Sequence, residues 1–340
     1  MTAEEIRVRR LSGQQLLSPG GPLDVAGALC GLQAQFFSNA LHALAVRCGG
    51  NADTAGLVKS WTVRGTLHLF PEWDLPLFLH RGRSHFLRPQ DTMNGDERIS
   101  GSRKQKFAAL ILDSVAQGVE EREALKEVCR RAGMSQGEEE SLFDPWGGLI
   151  RALCEAGLLC HQAQQRKAFR RCPPFVPMEQ REAELELARR YFAHYGPATG
   201  KDAAYFFGTT QKQVGSWLSE LSLQSARWNG RTYFYFDRAC AGDSIPDCLF
   251  LAGFDPLMLG YEKTESLFLP PKYLRDIFTR SGIIRPALLL GGQVAGRWQR
   301  RGRTVTATLF RPLPDHLRWA VEEEAARLWP GVRCVLEEGV

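Results

Sequence analysis

The chain has 340 residues, with 43 Lys and Arg against 38 Asp and Glu and a formal net charge of +5 at pH 7. A hydrophobic fraction of 44% and a charged fraction of 24% exclude a wholly disordered or collagen-like protein. No stretch approaches the roughly 18 uninterrupted apolar residues of a membrane-spanning helix, and the acidic start of the chain does not have the basic-then-apolar pattern of a signal peptide.

The nine cysteines are spread along the chain, and no two of them have Cys-x-x-Cys spacing. Cys160-His161 has no second pair at the spacing of a zinc finger. We therefore expect nine free thiols in a reducing cytoplasm, no metal site, no cofactor and no membrane partner.

The first segment has the element order of a winged helix, in which short helices precede extended chain. Pro22 suits the first turn of a helix, where its missing N–H costs nothing, and Ser38 suits the N-cap of the next. The pattern predicts extended chain at 6–10 and at 62–70. Between these stretches it predicts four helices: one at 12–17, one that begins at 22, one that begins at 38, and one that begins at 53 or 54 and ends at about 61. We assign residues 1–95 to the first winged-helix domain.

The middle of the chain repeats this layout twice. Helices at 104–117, 121–131 and 149–156 precede strands at 158–161 and 167–171, and prolines between 172 and 177 indicate a linker. Helices at 180–194, 199–207 and 209–221 precede a hairpin whose turn is Asn229-Gly230, the strongest two-residue hairpin signal. These copies predict winged-helix domains at 100–172 and 178–240.

The last part, 245–340, changes character. Strand-like segments at 248–254, 287–290, 294–298, 304–310 and 332–336 surround a helix at 314–328, which predicts a β-rich C-terminal domain and an α+β fold for the chain. Between Arg297 and Arg311 there are five Arg and no acid. A basic stripe on a nearly balanced protein favours a localised anionic partner, usually nucleic acid.

The catalytic motifs HExxH, the Walker loop and GxGxxG are absent from the sequence. Residue patterns alone therefore support only a multi-domain helical DNA-binding candidate. The chain has 17 Gln, so about one Gln-x-Gln is expected by chance, and three occur, at 33/35, 162/164 and 211/213. The first two are both Gln-Ala-Gln, so the tripeptide by itself carries little information.

Four blocks give the first of these a context. Gly-Leu-Gln-Ala-Gln at 31–35, Trp-Thr-Val-Arg-Gly-Thr-Leu-His-Leu at 61–69, Gly-Phe-Asp-Pro-Leu-Met-Leu-Gly-Tyr at 253–261 and the basic strand pair at 294–310 resemble, in order and spacing, the AlkZ/YcaQ family of bacterial DNA glycosylases. The resemblance implies a row of three winged-helix domains and a β-rich C-terminal domain, curved around double-stranded DNA. The chain departs from the family at Ala252-Gly253 and at Glu262-Lys263, which bears on substrate range more than on the reaction.

The resemblance also implies an activity. The family removes N7-alkylated guanine from DNA, some members unhook interstrand crosslinks, and a Gln-Φ-Gln signature, with Φ aliphatic, gives Gln33 and Gln35 around Ala34 as the catalytic residues. The expectation is a monofunctional hydrolase of N-glycosyl bonds, active in base excision repair of alkylation damage in the bacterial cytosol and nucleoid as a monomer. The alternatives are a non-catalytic winged-helix transcriptional regulator and an enzyme with another substrate on the same scaffold.

The chemistry is reasonable without a carboxylate. A glycosidase normally uses an acid for the leaving group and a base or nucleophile on the other face, but a guanine alkylated at N7 is already cationic and leaves without protonation. A Gln carbonyl can accept a hydrogen bond from water and face the developing charge on the sugar, while the NH₂ group holds a phosphate or sugar oxygen. Stabilisation of this kind is sufficient for the departure of an activated, cationic base and too small for the departure of an undamaged base.

Spacing constrains this site, because residues i and i+2 of a continuous helix point about 200° apart. Gln33 and Gln35 can converge only if the helix ends near them, as the cap signal at 36–38 indicates. The expected DNA-binding residues are Arg64, His68, Arg231, Arg297, Arg300, Arg301 and Arg303. The alternatives are that Arg64 and His68 brace the fold and that the C-terminal arginines form a solvated turn; we expect Asp255 to cap or orient backbone.

Overall fold

The computed structural model describes residues 1–50, 52–62, 64–82, 98–144, 148–237 and 244–339. The fold is mixed α+β. The chain divides into a split unit, Met1–Asp53 with Leu185–Val340, and a continuous unit, Thr54–Glu184. The predicted domain boundary at residue 95 and the thiol of Cys240 lie outside the described residues, and the three winged-helix boundaries stay a prediction.

The split unit begins with three helices, α1 (Ala3–Gly13), α2 (Pro22–Ala28) and α3 (Phe37–Arg47), with the short extended piece β1 (Leu32–Gln33) before α3. The expectation of extended chain at 6–10 is wrong. Thr2 and Glu5 form a capping box at the start of α1, and Ile6 and Arg10 are buried on the same face of the helix. The predicted helix at 12–17 is also wrong, because α1 ends at Gly13. Pro22 occupies the first turn of α2 as predicted.

The continuous unit packs helices against a small antiparallel sheet. Its elements are β2 (Leu57–Trp61), β3 (Leu67–Pro71), α4 (Leu75–Phe78), α5 (Gly101–Ala116), α6 (Arg122–Arg131), α7 (Gln136–Leu142), α8 (Gly148–Glu155), β4 (Leu159–His161) and β5 (Phe169–Arg171). β2 pairs with β3 on one side and with β4 on the other, and β4 pairs with β5. The core includes Trp61, Phe107, Ile111 and Phe169.

The predicted helix from 53 or 54 to 61 is wrong, because its second half is strand β2. All five residues of β2 are buried, Lys59 among them, and they pair in register with β3 from Leu57–Pro71 to Trp61–Leu67. Burial on both faces and ladder hydrogen bonds outweigh the local pattern here. The extended chain predicted at 62–70 matches β3 in part.

The second part of the split unit starts with α9 (Gln180–His194), whose first residues belong to the continuous unit. It continues with α10 (Gly200–Phe207), α11 (Gln211–Leu218) and the hairpin of β6 (Gln224–Trp228) and β7 (Arg231–Tyr235). Asn229 and Gly230 both have positive φ, 47° and 73°, as a type I′ turn requires, so the hairpin prediction is confirmed.

The C-terminal part forms a five-stranded sheet in the order β12-β11-β10-β9-β8. The strands are β8 (Cys248–Leu251), β9 (Ala287–Leu290), β10 (Gln293–Arg301), β11 (Thr304–Leu309) and β12 (Arg333–Glu338), and the helices are α12 (Pro256–Leu259), α13 (Leu274–Ile277) and α14 (Asp315–Leu328). β12 runs parallel to β11 because α14 carries the chain back between them. Val321 and Ala325 of α14 join Phe250, Leu288 and Val305 of the sheet in one core.

Candidate active site and nucleic-acid interface

The first Gln-Ala-Gln lies in extended chain between two helices. α2 ends at Ala28, and Cys30 and Gly31 follow with positive φ of 54° and 80°, so the helix ends before the glutamines rather than near them. The predicted N-cap at Ser38 is wrong, because Ser38 lies inside α3 and the N-cap is Phe36. β1 then carries Gln33, and α3 begins at Phe37. Because alternate residues of extended chain point to the same side, Gln33 and Gln35 share one face.

The two amides meet as predicted. Nε2 of Gln33 donates a hydrogen bond of 3.0 Å to Oε1 of Gln35, both side chains are half-buried, and Ala34 between them is buried. Within the described part of the chain, Gln33 Oε1 and Gln35 Nε2 have no protein hydrogen-bond partner. Neither atom is among the fully buried polar atoms without a partner, so the pair offers one accessible acceptor and one accessible donor side by side.

A buried ion pair joins α3 to the Gly253–Tyr261 segment within the split unit. Arg47, the last residue of α3, donates from Nη2 to Asp255 Oδ1 at 2.8 Å and from Nη1 to Oδ2 at 3.1 Å, and both side chains are fully buried. Asp255 also accepts from the backbone N–H of Leu257 at 2.9 Å and so caps α12. The expectation that Asp255 caps backbone is confirmed. Sequence reasoning missed Arg47, which no local pattern marks as its partner.

The second Gln-Ala-Gln occupies the turn between β4 and β5 of the continuous unit. Gln164 Nε2 donates to Gln162 Oε1 at 2.8 Å, so this pair also forms an amide–amide bond. Its backbone is held by Lys59 Nζ, which donates to Gln164 O at 3.1 Å, and by Thr54 Oγ1, which donates to Ala163 O at 3.3 Å. The third pair, at 211 and 213, lies in the first turn of α11, where such residues diverge.

Arg64 and His68 lie on the β2–β3 hairpin of the continuous unit. His68 is fully buried, and its Nδ1 donates to Thr66 O at 2.9 Å, with Thr62 Oγ1 at 3.0 Å. Burial, together with the charge of Arg64, holds the pKa of His68 well below its usual value, so the ring stays neutral. This geometry favours the alternative that His68 braces the hairpin. Arg64 is half-buried beside the turn at Gly65.

The basic hairpin β10–β11 turns at Gly302 and Arg303, with Arg301 opposite Thr304. Arg300, Arg301 and Arg303 are exposed and Arg297 is half-buried. Among the described residues none of these four has a carboxylate within ion-pair distance, so the positive charge at the hairpin tip is not neutralised by the protein. Arg231 differs, because its Nη1 lies 2.7 Å from Glu265 Oε2.

Neither a membrane span nor a metal cluster is found in the ranges that the structure describes. No helix there combines the length and apolar content that crossing a bilayer needs. No group of three or more His, Cys, Asp or Glu side chains there is placed to hold a metal ion.

Comparison with known proteins gives three findings. A family model described as "DNA glycosylase AlkZ-like" matches residues 26–330. An "Interstrand DNA cross-link repair glycosylase" of Streptomyces sahachiroi is 28% identical over 341 residues, covering 90% of this chain and 89% of that protein. The solved structure of the Streptomyces sahachiroi DNA glycosylase AlkZ superposes with a TM-score of 0.79 at 23% identity, covering all of both chains, which shows a shared fold.

Proposed function

The chain belongs to the AlkZ-like family of DNA glycosylases, and from that premise we propose that it hydrolyses the N-glycosidic bond of N7-alkylguanine in double-stranded DNA, with Gln33 and Gln35 as its catalytic residues. The observation that carries this proposal is the setting of the amide pair at 33 and 35: its 3.0 Å bond leaves one acceptor and one donor without a partner in the described protein, and it leads into α3, which the buried Arg47–Asp255 pair anchors. A transcriptional regulator has no need of such a pair, and family membership does not favour that alternative.

In the proposed reaction, water adds to C1′ of the damaged nucleotide as the bond from C1′ to N9 breaks. The electron pair of that bond goes to the base, which neutralises its positive charge and releases it as N7-alkylguanine. Gln33 Oε1 accepts a hydrogen bond from the attacking water, which loses a proton to bulk solvent as the new C–O bond completes. The amide dipole faces the developing charge on the sugar.

The bond between the amides supports this assignment of roles. Because Gln35 Oε1 already accepts from Gln33, the Gln35 NH₂ group is held in one orientation and can donate to a phosphate or sugar oxygen of the same nucleotide. Fixed dipoles of this kind need no reorganisation during the reaction. With no lysine nucleophile in the scheme, the product is an abasic site in an uncut strand.

We extend the proposal to the finer architecture and to DNA binding. Three winged-helix domains and a β-rich C-terminal domain would bind the duplex, with Arg300, Arg301 and Arg303, which are exposed and have no carboxylate partner among the described residues, on phosphates. Arg64, Arg297 and Arg231 are weaker candidates, Arg231 because Glu265 already pairs with it. A monomer in the bacterial cytosol and nucleoid is sufficient for this mode of binding.

The relative from Streptomyces sahachiroi is named for interstrand crosslink repair, and we propose that this chain also unhooks crosslinks joined through guanine N7. The same cationic leaving group is present in both kinds of lesion, so the same two amides suffice.

The test is incubation of the purified full chain with a defined duplex that carries one N7-methylguanine. We expect free base and an alkali-labile site in an otherwise intact strand. Release of no base, with retained DNA binding, would contradict the enzyme and support a regulator. Strand cleavage without alkali would contradict the monofunctional mechanism.

A further inference from the structure

Phe36 directly follows the amide pair, and 49% of its surface is exposed. Single exposed apolar side chains are common on proteins and do not mark a site by themselves. What distinguishes Phe36 is its neighbours: Gln35 precedes it, and the ring of Phe254 lies beneath it. The two rings stack with centroids 5.5 Å apart and planes 22° from parallel. One face of Phe36 is therefore covered and the other is open.

Contacts of the residues on both sides of Phe254 hold its ring in place. Phe254 has a φ of 56°, a left-handed conformation that is rare for a bulky residue and that surrounding contacts must enforce. Gly253 before it approaches α3 so closely that a Cβ would lie 2.7 Å from Asn39 Nδ2. Asp255 after it is bound by Arg47 and by the Leu257 N–H. The fold thus maintains a strained backbone at the position that puts an aromatic ring under Phe36.

We propose that the open face of Phe36 is a stacking site for the nucleobase of the damaged nucleotide. This inference rests on the proposed function, because it takes the sugar to lie at Gln33 and Gln35. The base attached to that sugar is then within reach of the next side chain along the chain. An aromatic ring stacks on any planar base, and its negative face also attracts a cation. A purine made cationic by N7 alkylation fits both properties better than an undamaged one.

The site acts on binding rather than on the chemical step. In the reaction the positive charge passes from the base to the sugar, so the ring holds the substrate at least as well as the transition state. An interaction of that kind lowers KM and leaves kcat largely unchanged. Phe36 is therefore expected to select the damaged base at the binding stage and to leave its expulsion to the amides.

The experiment measures the dissociation constant of the full chain for three duplexes of one sequence. One carries N7-methylguanine on a 2′-fluorinated sugar, whose electron-withdrawing fluorine destabilises the oxocarbenium and keeps the base attached. The second is undamaged, and the third has a tetrahydrofuran residue with no base. The proteins are wild type, Phe36→Ala, Phe36→Leu and Phe36→Trp. Leu is the matched control, because it still covers Phe254 but has no aromatic face.

We expect Phe36→Ala to weaken binding to the lesion duplex on the order of 10-fold, and Phe36→Leu nearly as much. Phe36→Trp should bind that duplex at least as well as wild type, since Trp is the best cation–π partner. Binding to the other two duplexes should change by less than about 2-fold, as expected for a residue that touches only the damaged base. Equal weakening on all three duplexes, or full retention by Phe36→Leu, would overturn the stacking site.

The outcome is separable from that of the proposed function. If wild type releases no base from N7-methylguanine, the proposed function fails, whereas the three binding measurements still report on Phe36. Excision on the ordinary sugar supplies the second readout: Phe36→Ala should raise KM on the order of 10-fold at nearly unchanged kcat. A fall in kcat at constant KM would contradict a role in binding. Thermal unfolding of each variant identifies any general loss of folding.

Discussion

The chain carries the same tripeptide, Gln-Ala-Gln, in each of its two units, and in both copies the amides bond to each other, at 3.0 Å for residues 33 and 35 and at 2.8 Å for 162 and 164. Their surroundings differ. The first copy leads into α3, whose last residue forms a buried ion pair, and is followed by an exposed aromatic ring. The second is a turn between two short strands, tied down through its backbone by Lys59 and Thr54. A tripeptide and even its internal bond do not make a site; the support and the neighbours do.

The largest expected effect concerns that support. Asp255→Asn leaves the Arg47 charge buried without its counter-ion, and we expect a loss of about 3 to 5 kcal/mol in the free energy of unfolding. The matched control is Asp237→Asn in the same unit, where an exposed carboxylate lies 3.6 Å from Arg9, with an expected loss below about 1 kcal/mol. Urea unfolding of the two variants checks the difference. Similar small losses would mean that the buried pair does not hold this region together.

The next effect concerns DNA affinity at the basic hairpin, which belongs to the same unit as the first copy. Replacing Arg300, Arg301 and Arg303 by Gln should make the negative slope of log affinity against log salt shallower by about 2 to 3, because each phosphate contact contributes about −0.9 to it. Filter binding to an undamaged duplex at several salt concentrations measures the slope.

The control for the hairpin variant removes the same charge elsewhere. Arg130, Arg189 and Arg327 each form two hydrogen bonds to a glutamate on a helix surface. Replacing these three by Gln should leave the slope within about one unit of wild type. If both triple variants made the slope shallower by the same amount, only net charge would matter and the hairpin would have no special part in DNA binding.

The smallest expected effect is an absence of pH dependence. Neither amide titrates, and His68 stays neutral because its pKa lies well below the usual value. Excision should therefore be flat from about pH 5.5 to about pH 8. Because the pKa of His68 is lowered, the ring gains its proton only at a pH well below the usual histidine value, so the excision rate should not change near that value. A clear limb between about pH 4 and 6 in single-turnover rates would indicate a catalytic carboxylate.

The sequence predicts local order well and long-range packing poorly. Asn229-Gly230 and Pro22 determine their neighbourhoods through backbone geometry alone, so the hairpin and the start of α2 are predictable. The strand at Leu57–Trp61 is not, because it is fixed by pairing with β3 and burial on both faces. The alternation of apolar and charged residues at 6–10 predicts extended chain where the structure has a helix, for the same reason. Arg10 is buried, with its Cζ 3.7 Å from the centroid of the Tyr261 ring, and no nearby residue in the sequence indicates that burial.

The candidate site divides in the same way. Convergence of Gln33 and Gln35 follows from spacing once the helix is known to end, although it ends earlier than the cap signal indicates. The pairing of Arg47 with Asp255 spans 208 residues, and the stack of Phe36 on Phe254 joins residues still farther apart in sequence. Neither contact is visible before the chain is folded.

The central claim is tested most directly by single-turnover excision of N7-methylguanine with Gln35→Ala beside Gln164→Ala. Removal of one preorganised dipole should lower the rate of the first variant on the order of 100-fold while its DNA binding persists, and the second variant should match wild type. If Gln35→Ala excised at the wild-type rate, or if the two variants lost activity equally, the amide pair at 33 and 35 would not be the catalytic site.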